Sequence, residues 1–237
     1  RILQEQEETG KPLDDNKISD CSSTEFVLMI EEVDIKVNSI KKLKTEVDLG
    51  KIIKSLTLYL YGKGIKETGA EHLATTLREM SSLTSLALNL YRNNIGDTGA
   101  EHLANDIVRF SLLTSLTLDL GENNIGETGA EHLANAIGSL GSLTSLNLTL
   151  CGNNIGHTGA EHLTNVLREM SSLTSLTLCL NYNNIGAAGA ELLATGLREM
   201  KSLTSLDLYL GHNDIEDAVK EAFEKIKLSN PNFSINF

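Results

Sequence analysis

Residues 115–137 read Ser115-Leu-Thr-Leu-Asp-Leu-Gly-Glu-Asn-Asn-Ile-Gly-Glu-Thr-Gly-Ala-Glu-His-Leu-Ala-Asn-Ala-Ile. Leu116, Leu118 and Leu120 alternate with smaller or polar residues, the period of a strand with one buried face. Ala130, Leu133, Ala134 and Ile137 follow at helical spacing, so the second half is an amphipathic helix with one apolar stripe. Between them Asn123-Asn124-Ile125-Gly126 carries turn chemistry.

The same unit recurs on both sides. Ser-Leu-Thr-Ser-Leu stands at 82–86, 142–146, 172–176 and 202–206, and Asn-Asn-Ile-Gly at 93–96, 123–126, 153–156 and 183–186. Gly-Ala-Glu-His-Leu stands at 69–73, 99–103, 129–133 and 159–163, always in steps of 30 or a multiple of it. A strand, a turn and a returning helix in tandem stack into a curved solenoid with a parallel sheet on the inside. The fold class is therefore α/β, with the sheet on the concave side, helices on the convex side and 30-residue repeats.

Two columns of the repeat have a structural reading. Asn93, Asn123, Asn153, Asn183 and Asn213 form one. The chain turns sharply after each strand, and a buried amide both donates and accepts, which suits an Asn ladder joining adjacent repeats. Thr68/Glu71, Thr98/Glu101, Thr128/Glu131 and Thr158/Glu161 form the other, at the spacing of a capping box. Ala188 takes the Thr place in the fifth repeat, whose helix is expected to begin more loosely.

Leu-x-Leu-x-x-Asn-x-Ile followed by a Gly-Ala-x-x-Leu-Ala helix resembles the ribonuclease-inhibitor-type leucine-rich repeat. It is most similar to the repeats at the C-terminus of NOD-like innate immune receptors, over about residues 55–215. That resemblance implies a protein-recognition role, since repeats of that kind sense a ligand or hold a receptor inactive. The same scaffold also serves GTPase activators and enzyme inhibitors, which stand as the alternative. Repeats of that family run about 28 or 29 residues. The extra pair here gives one more pleat, Leu116-x-Leu118-x-Leu120, and a wider concave face.

The domain plan follows from the phase. Residues 55–204 hold five repeats and 205–237 a C-terminal capping repeat, in which Phe223, Ile226 and Leu228 give the last helix its apolar side. Phe233, Ile235 and Phe237 alternate as a short final strand. Stepping back 30 from Leu56, Leu58 and Leu60 reaches Phe26, Leu28 and Ile30, so 24–54 reads as a degenerate N-terminal capping repeat. Residues 1–23 are polar and unpatterned, a tail or linker. The chain opens at Arg1 without Met, consistent with a longer parent.

Composition narrows the function. Aromatics make up 4 % and Trp is absent, so the core is aliphatic. The net charge of −12 opposes phosphate backbones and favours a basic protein partner, with no nucleic acid. No apolar run is long enough for a membrane span. The three cysteines, Cys21, Cys151 and Cys179, form neither a disulfide framework nor a metal motif, which points to a reducing, cytoplasmic setting. Cys151 and Cys179 fall on the same surface of adjacent strands, a pair of free thiols. The helix column His72, His102, His132 and His162 has Glu neighbours alone, so no metal is expected, nor any cofactor. No catalytic constellation is present, and the chain reads as no enzyme.

If the leucines face inward, the residues between them face out. Most repeat positions barely change; these do. The candidate ligand-binding residues are Tyr59, Tyr61, Asn89, Tyr91, Arg92, Asp119, Glu122, Asn181, Tyr182, Asp207, Tyr209 and His212. All five tyrosines of the chain are among them. Tyr61 and Tyr91 occupy equivalent positions on adjacent strands and, with Tyr59 and Arg92, form an expected first cluster. Tyr182, Tyr209 and His212 form an expected second, with Asp119 and Glu122 between the two. Tyrosine is enriched at binding hot spots, although cross-strand packing alone also places it on sheets.

Overall fold

The computed structural model describes residues 26–30, 33–37, 53–78 and 80–237, the first two segments by backbone only. The unit predicted from residues 115–137 is present in all six repeats from Ser55 onward. Strands β3 (Ser55–Tyr59), β4 (Ser85–Asn89), β5 (Ser115–Asp119), β6 (Ser145–Thr149), β7 (Ser175–Cys179) and β8 (Ser205–Tyr209) are parallel and in strict register, Leu56 beside Leu86 beside Leu116 and onward. Strand β9 (Phe233–Asn236) extends the sheet in parallel, with Ile235 beside Leu208. Helices α1 (Lys66–Leu77), α2 (Gly96–Ile107), α3 (Glu127–Gly138), α4 (Gly156–Leu167), α5 (Gly186–Glu199) and α6 (Asp217–Ser229) return along one face. Strands stack about 4.8 Å apart and helices about 8–10 Å, so the sheet is the concave side.

The core is one continuous layer between sheet and helices. Leu116, Leu118 and Leu120 meet Ala130, Leu133 and Ile137, all at most 1 % exposed. The extra pleat is real in hydrogen bonding. Leu60 N–H donates to Asn89 O at 2.8 Å and Gly62 N–H to Tyr91 O at 2.9 Å, past the strand ends. At the strand starts the Thr84, Thr114, Thr144, Thr174 and Thr204 hydroxyls each donate to a carbonyl 30 residues back, at 3.0–3.1 Å.

The buried Asn column bonds across repeats. Asn123 Nδ2 donates to Leu90 O and Gly121 O, and its Oδ1 accepts from Asn93 N–H and Ile95 N–H. Asn93, Asn153 and Asn213 likewise donate to a leucine carbonyl of the preceding repeat and accept two N–H groups from it, while Asn183 donates to Leu150 O and accepts from Ile155 N–H.

The capping-box expectation fails. None of the six helices has a side-chain bond from its N-cap residue. Most begin two residues before the Thr, and their first N–H groups are taken by the next repeat instead. Gly96 N–H reaches Asn123 O at 2.9 Å and Gly156 N–H reaches Asn183 O at 3.0 Å. In α3, which starts one residue later, Asp97 Oδ1 accepts from Gly126 N–H at 2.6 Å and Gly129 N–H at 3.1 Å. For the same reason α5 begins in phase despite Ala188.

The helix glycine is a packing residue. A Cβ at Gly159 would stand 2.6 Å from Ile155 Cγ2 and 3.0 Å from Ala130 Cβ of the preceding helix. Glycine ordinarily weakens a helix interior; here it allows the close approach.

Two expectations about the ends need correction. Strand β1 (Phe26–Ile30) exists where the phase puts it, with Leu28 opposite Leu58, but it runs antiparallel to β3 and pairs with an antiparallel β2 (Val33–Val37). Alternation fixes which residues share a face and carries no information about strand direction, so the in-phase leucines fit a hairpin as well as a repeat. The tail 1–23 and residues 38–52 lie outside the described residues. In α6, Val219, Phe223 and Ile226 are buried while Leu228 is 84 % exposed, because it falls past the stripe set by the other three. Phe237 packs edge-on against Phe223, at 5.6 Å between ring centres.

Candidate functional site

The strand positions between the leucines point away from the core, half-buried where the leucines are sealed. They continue into a turn whose first residue has a left-handed backbone in all six repeats. Gly62, Arg92, Glu122, Gly152, Tyr182 and His212 have φ between 51° and 66°. Glycine takes this conformation freely, whereas residues with a Cβ are disfavoured there. Only two of the six are glycine.

The four others form two pairs. Arg92 Nε and Nη2 lie 2.5 Å and 3.0 Å from the Glu122 carboxylate, one repeat on. Tyr91 Oη donates to Glu122 Oε1. Tyr91 stacks on Tyr61 at 5.4 Å between centroids and 4° between planes, and the Arg92 guanidinium lies 5.3 Å from the Tyr91 ring centre. Farther along, Tyr182 stacks on His212 at 4.0 Å and 9°.

Charge follows this geometry. The Glu122 hydrogen bond, aided by burial, pushes the Tyr91 phenol up to about 12. Arg92, then Tyr91, hold the Glu122 carboxyl below its ordinary range. Glu122, then Tyr61, hold the Arg92 guanidinium above its own. Burial raises the Asp119 carboxyl, opposed by the Gly121 N–H.

The twelve candidate residues thus divide. Tyr61, Tyr91 and Arg92 meet as expected, but Glu122 is inside their cluster and not between the two. Tyr182 and His212 meet. Tyr59 and Tyr209 stand outside the stacked pairs, 50 % and 37 % exposed, and Asp207 lines the same face. Asn89 Oδ1 accepts from Tyr91 N–H, Asp119 Oδ1 from Gly121 N–H and Asn181 Oδ1 from Gly211 N–H, at 3.2, 3.2 and 2.6 Å, so these three hold the turn.

Gly121 was not singled out by its sequence. A Cβ there would lie 2.6 Å from Tyr91 Cδ2 and 2.9 Å from Cys151 Sγ, so its bareness is what lets the Tyr91 ring lean across the strand. The interruption of the column Tyr61, Tyr91, Gly121 was the available signal.

Elsewhere the chemistry is sparse. Among the described residues no His, Cys, Asp and Glu group is arranged to hold a metal, and no helix is long and apolar enough to cross a membrane. In the helix histidine column, His162 Nε2 stands 3.9 Å from Glu131 Oε2 of the preceding helix.

The family model for the leucine-rich repeat matches residues 80–104, 113–134 and 172–194. No curated protein sequence matches the chain. Among solved structures, actin-binding site 2 of leiomodin-1 is similar at a TM-score of 0.49 and 17 % identity, over 66 % of this chain and 84 % of that one. The chain carries leucine-rich repeats and is an α/β solenoid built from them.

Proposed function

We propose that the chain is a non-enzymatic protein-recognition module, binding a macromolecular ligand on its concave sheet as the sensor region of a NOD-like receptor does. The observation that carries this reading is the left-handed column. A duplicated scaffold that accepts glycine at Gly62 and Gly152 holds Arg92, Glu122, Tyr182 and His212 at the equivalent places. Exposed ion pairs return little stability, so folding alone does not account for keeping large side chains in a disfavoured backbone. They project beside the tyrosines, where they add area and charge to one accessible face.

Tyr61 and Tyr91 present a preorganised aromatic platform, with the Tyr91 hydroxyl held by Glu122. Such rigid aromatic anchors lose little entropy on binding. Glu122, Asp207 and the net charge of −12 favour a basic partner. The reducing interior of the cell suits the free Cys151 and Cys179. An activator that inserts an arginine into its partner is disfavoured, because Arg92 is already bound by Glu122.

The test is affinity capture with the chain and with a Tyr61→Ala, Tyr91→Ala variant that still melts cooperatively. Loss of a partner's affinity by about a hundredfold or more is expected. Equal affinity of both for that partner refutes the tyrosine platform as the binding site.

A further inference from the structure

Asp119 ends β5 in the middle of the concave sheet, half-buried between Asn89 and Thr149, its register partners on the two neighbouring strands. Among the described residues no lysine, arginine or histidine forms an ion pair with it. Arg92, the one arginine or lysine in the strand columns and the left-handed column, is held by Glu122 instead. A half-buried acid without a counterion is costly to keep charged, and a ligand cation removes that cost.

The surroundings of Asp119 define the cation. Its Oδ1 accepts from Gly121 N–H at 3.2 Å, which fixes the carboxylate and leaves the second oxygen to a ligand. A Cβ at that same glycine would lie 2.6 Å from Tyr91 Cδ2, so the Tyr91 ring closes the turn side of the acid. Asn89 Oδ1 accepts from Tyr91 N–H and keeps a second lone pair, and Thr149 adds a hydroxyl. With strands about 4.8 Å apart, Asn89, Asp119 and Thr149 form a row about 10 Å long. It offers acceptors, one negative charge at its centre and an aromatic wall. No His, Cys, Asp and Glu group is arranged for a metal among the described residues, so an organic cation fits better. A guanidinium carries five donors and no acceptor, stacks on aromatic rings and is more weakly hydrated than an ammonium, which suits a half-buried partner.

We propose that Asp119, with Asn89, Thr149 and the Tyr91 ring, forms a subsite for one arginine side chain of the protein ligand. The proposal rests on the recognition reading and names the partner residue that the centre of the concave face takes. The guanidinium pairs with the Asp119 carboxylate, spends its remaining donors on the row and lies against Tyr91.

The experiment titrates L-argininamide into the isotope-labelled full chain at about 150 mM salt, where exposed charges are screened, and follows the amide signals by NMR. Saturable shifts centred on the Gly121 and Thr149 N–H groups are expected, and none from L-citrullinamide, the neutral isostere. Asp119→Asn keeps an acceptor for Gly121 N–H and should weaken argininamide about tenfold or more, with an unchanged circular dichroism spectrum. Shifts spread over the acidic helices, as diffuse attraction to a chain of net charge −12 gives, overturn the proposal. So does an equal response to citrullinamide in the wild type, a comparison that needs no variant to fold. The two readings fail separately. A partner lost by the Tyr61→Ala, Tyr91→Ala variant but bound equally by Asp119→Asn overturns the arginine subsite and leaves recognition standing. Argininamide seated at Gly121 while that tyrosine variant keeps its partner supports the subsite and refutes the tyrosine platform.

Discussion

Replacing Asn123 with Leu removes four hydrogen bonds from a side chain that is 0 % exposed. The cost depends on which partners are left alone. Leu90 O keeps the Asn93 amide as a donor and Gly121 O keeps the Arg92 N–H, so neither carbonyl is orphaned. Asn93 N–H and Ile95 N–H have Asn123 Oδ1 as their acceptor and lose it. Two buried donors at about 1–3 kcal/mol each give a destabilisation of about 2–6 kcal/mol. Both lie across the interface between successive repeats, so the loss falls on the coupling that makes a solenoid unfold as a unit.

Urea unfolding followed by circular dichroism measures this directly. The transition of Asn123→Leu should move to lower urea, broaden, or split as the repeats on either side of the break unfold separately. Asn124→Gly is the internal control. That neighbour is exposed with φ of 59°, a conformation glycine prefers, so its stability should stay within about 0.5 kcal/mol of the wild type. A loss below about 1 kcal/mol for Asn123→Leu would refute the ladder reasoning.

Other consequences are as direct. Gly129→Ala places a Cβ 2.5 Å from Asp97 Oδ1 and 3.1 Å from Asp97 Cα, so this helix glycine should destabilise by about 1–3 kcal/mol on thermal unfolding, where an unhindered one would gain. Asp97→Ala strips the acceptor from Gly126 N–H and Gly129 N–H and should cost about 1 kcal/mol, a change absent from Ala187→Ser at the equivalent place three repeats on. Glu122→Gln should bring the Tyr91 phenol down from about 12 in a spectrophotometric titration, because the carboxylate hydrogen bond is the main cause of the rise. The sign follows from the neutral phenol being the form the fold favours. The contribution of that bond is complete below the unfolded tyrosine value near 10 and is lost as pH climbs through 12.

The sequence was most informative where a residue is dictated by its own repeat. Leu116, Leu118 and Leu120 mark a strand, and Ala130, Leu133 and Ile137 a helix, because each stripe is buried by a neighbour of identical pattern. It was least informative where a residue answers to the next repeat. Thr128 and Glu131 have the spacing of a capping box, yet the helix starts are satisfied by Asn carbonyls and by Asp97 thirty residues away. The hairpin of β1 and β2 shows the same limit, since alternation at Phe26, Leu28 and Ile30 does not encode direction. Within the site, equivalent spacing placed Tyr61 beside Tyr91, but the reach of Arg92 to Glu122 depends on a left-handed turn that their residue types do not announce.

That turn also explains why the face is able to vary. Beneath it the Asn column fixes the backbone through Asn123 Oδ1 and its equivalents, bonding main-chain groups that are the same whatever side chain precedes them. The residue before each ladder Asn is therefore held left-handed by its neighbours and not by its own preference. Gly152 shows the position when it carries no side chain, as does Gly62 ahead of Lys63, which stands in the ladder column of the first repeat; Arg92, Glu122, Tyr182 and His212 show that the ladder tolerates the alternative. A scaffold whose turn is imposed from below leaves its outer residues free to be chosen for what they touch. On this chain those choices gather into one stack around Tyr91 and another around Tyr182, on a single accessible face.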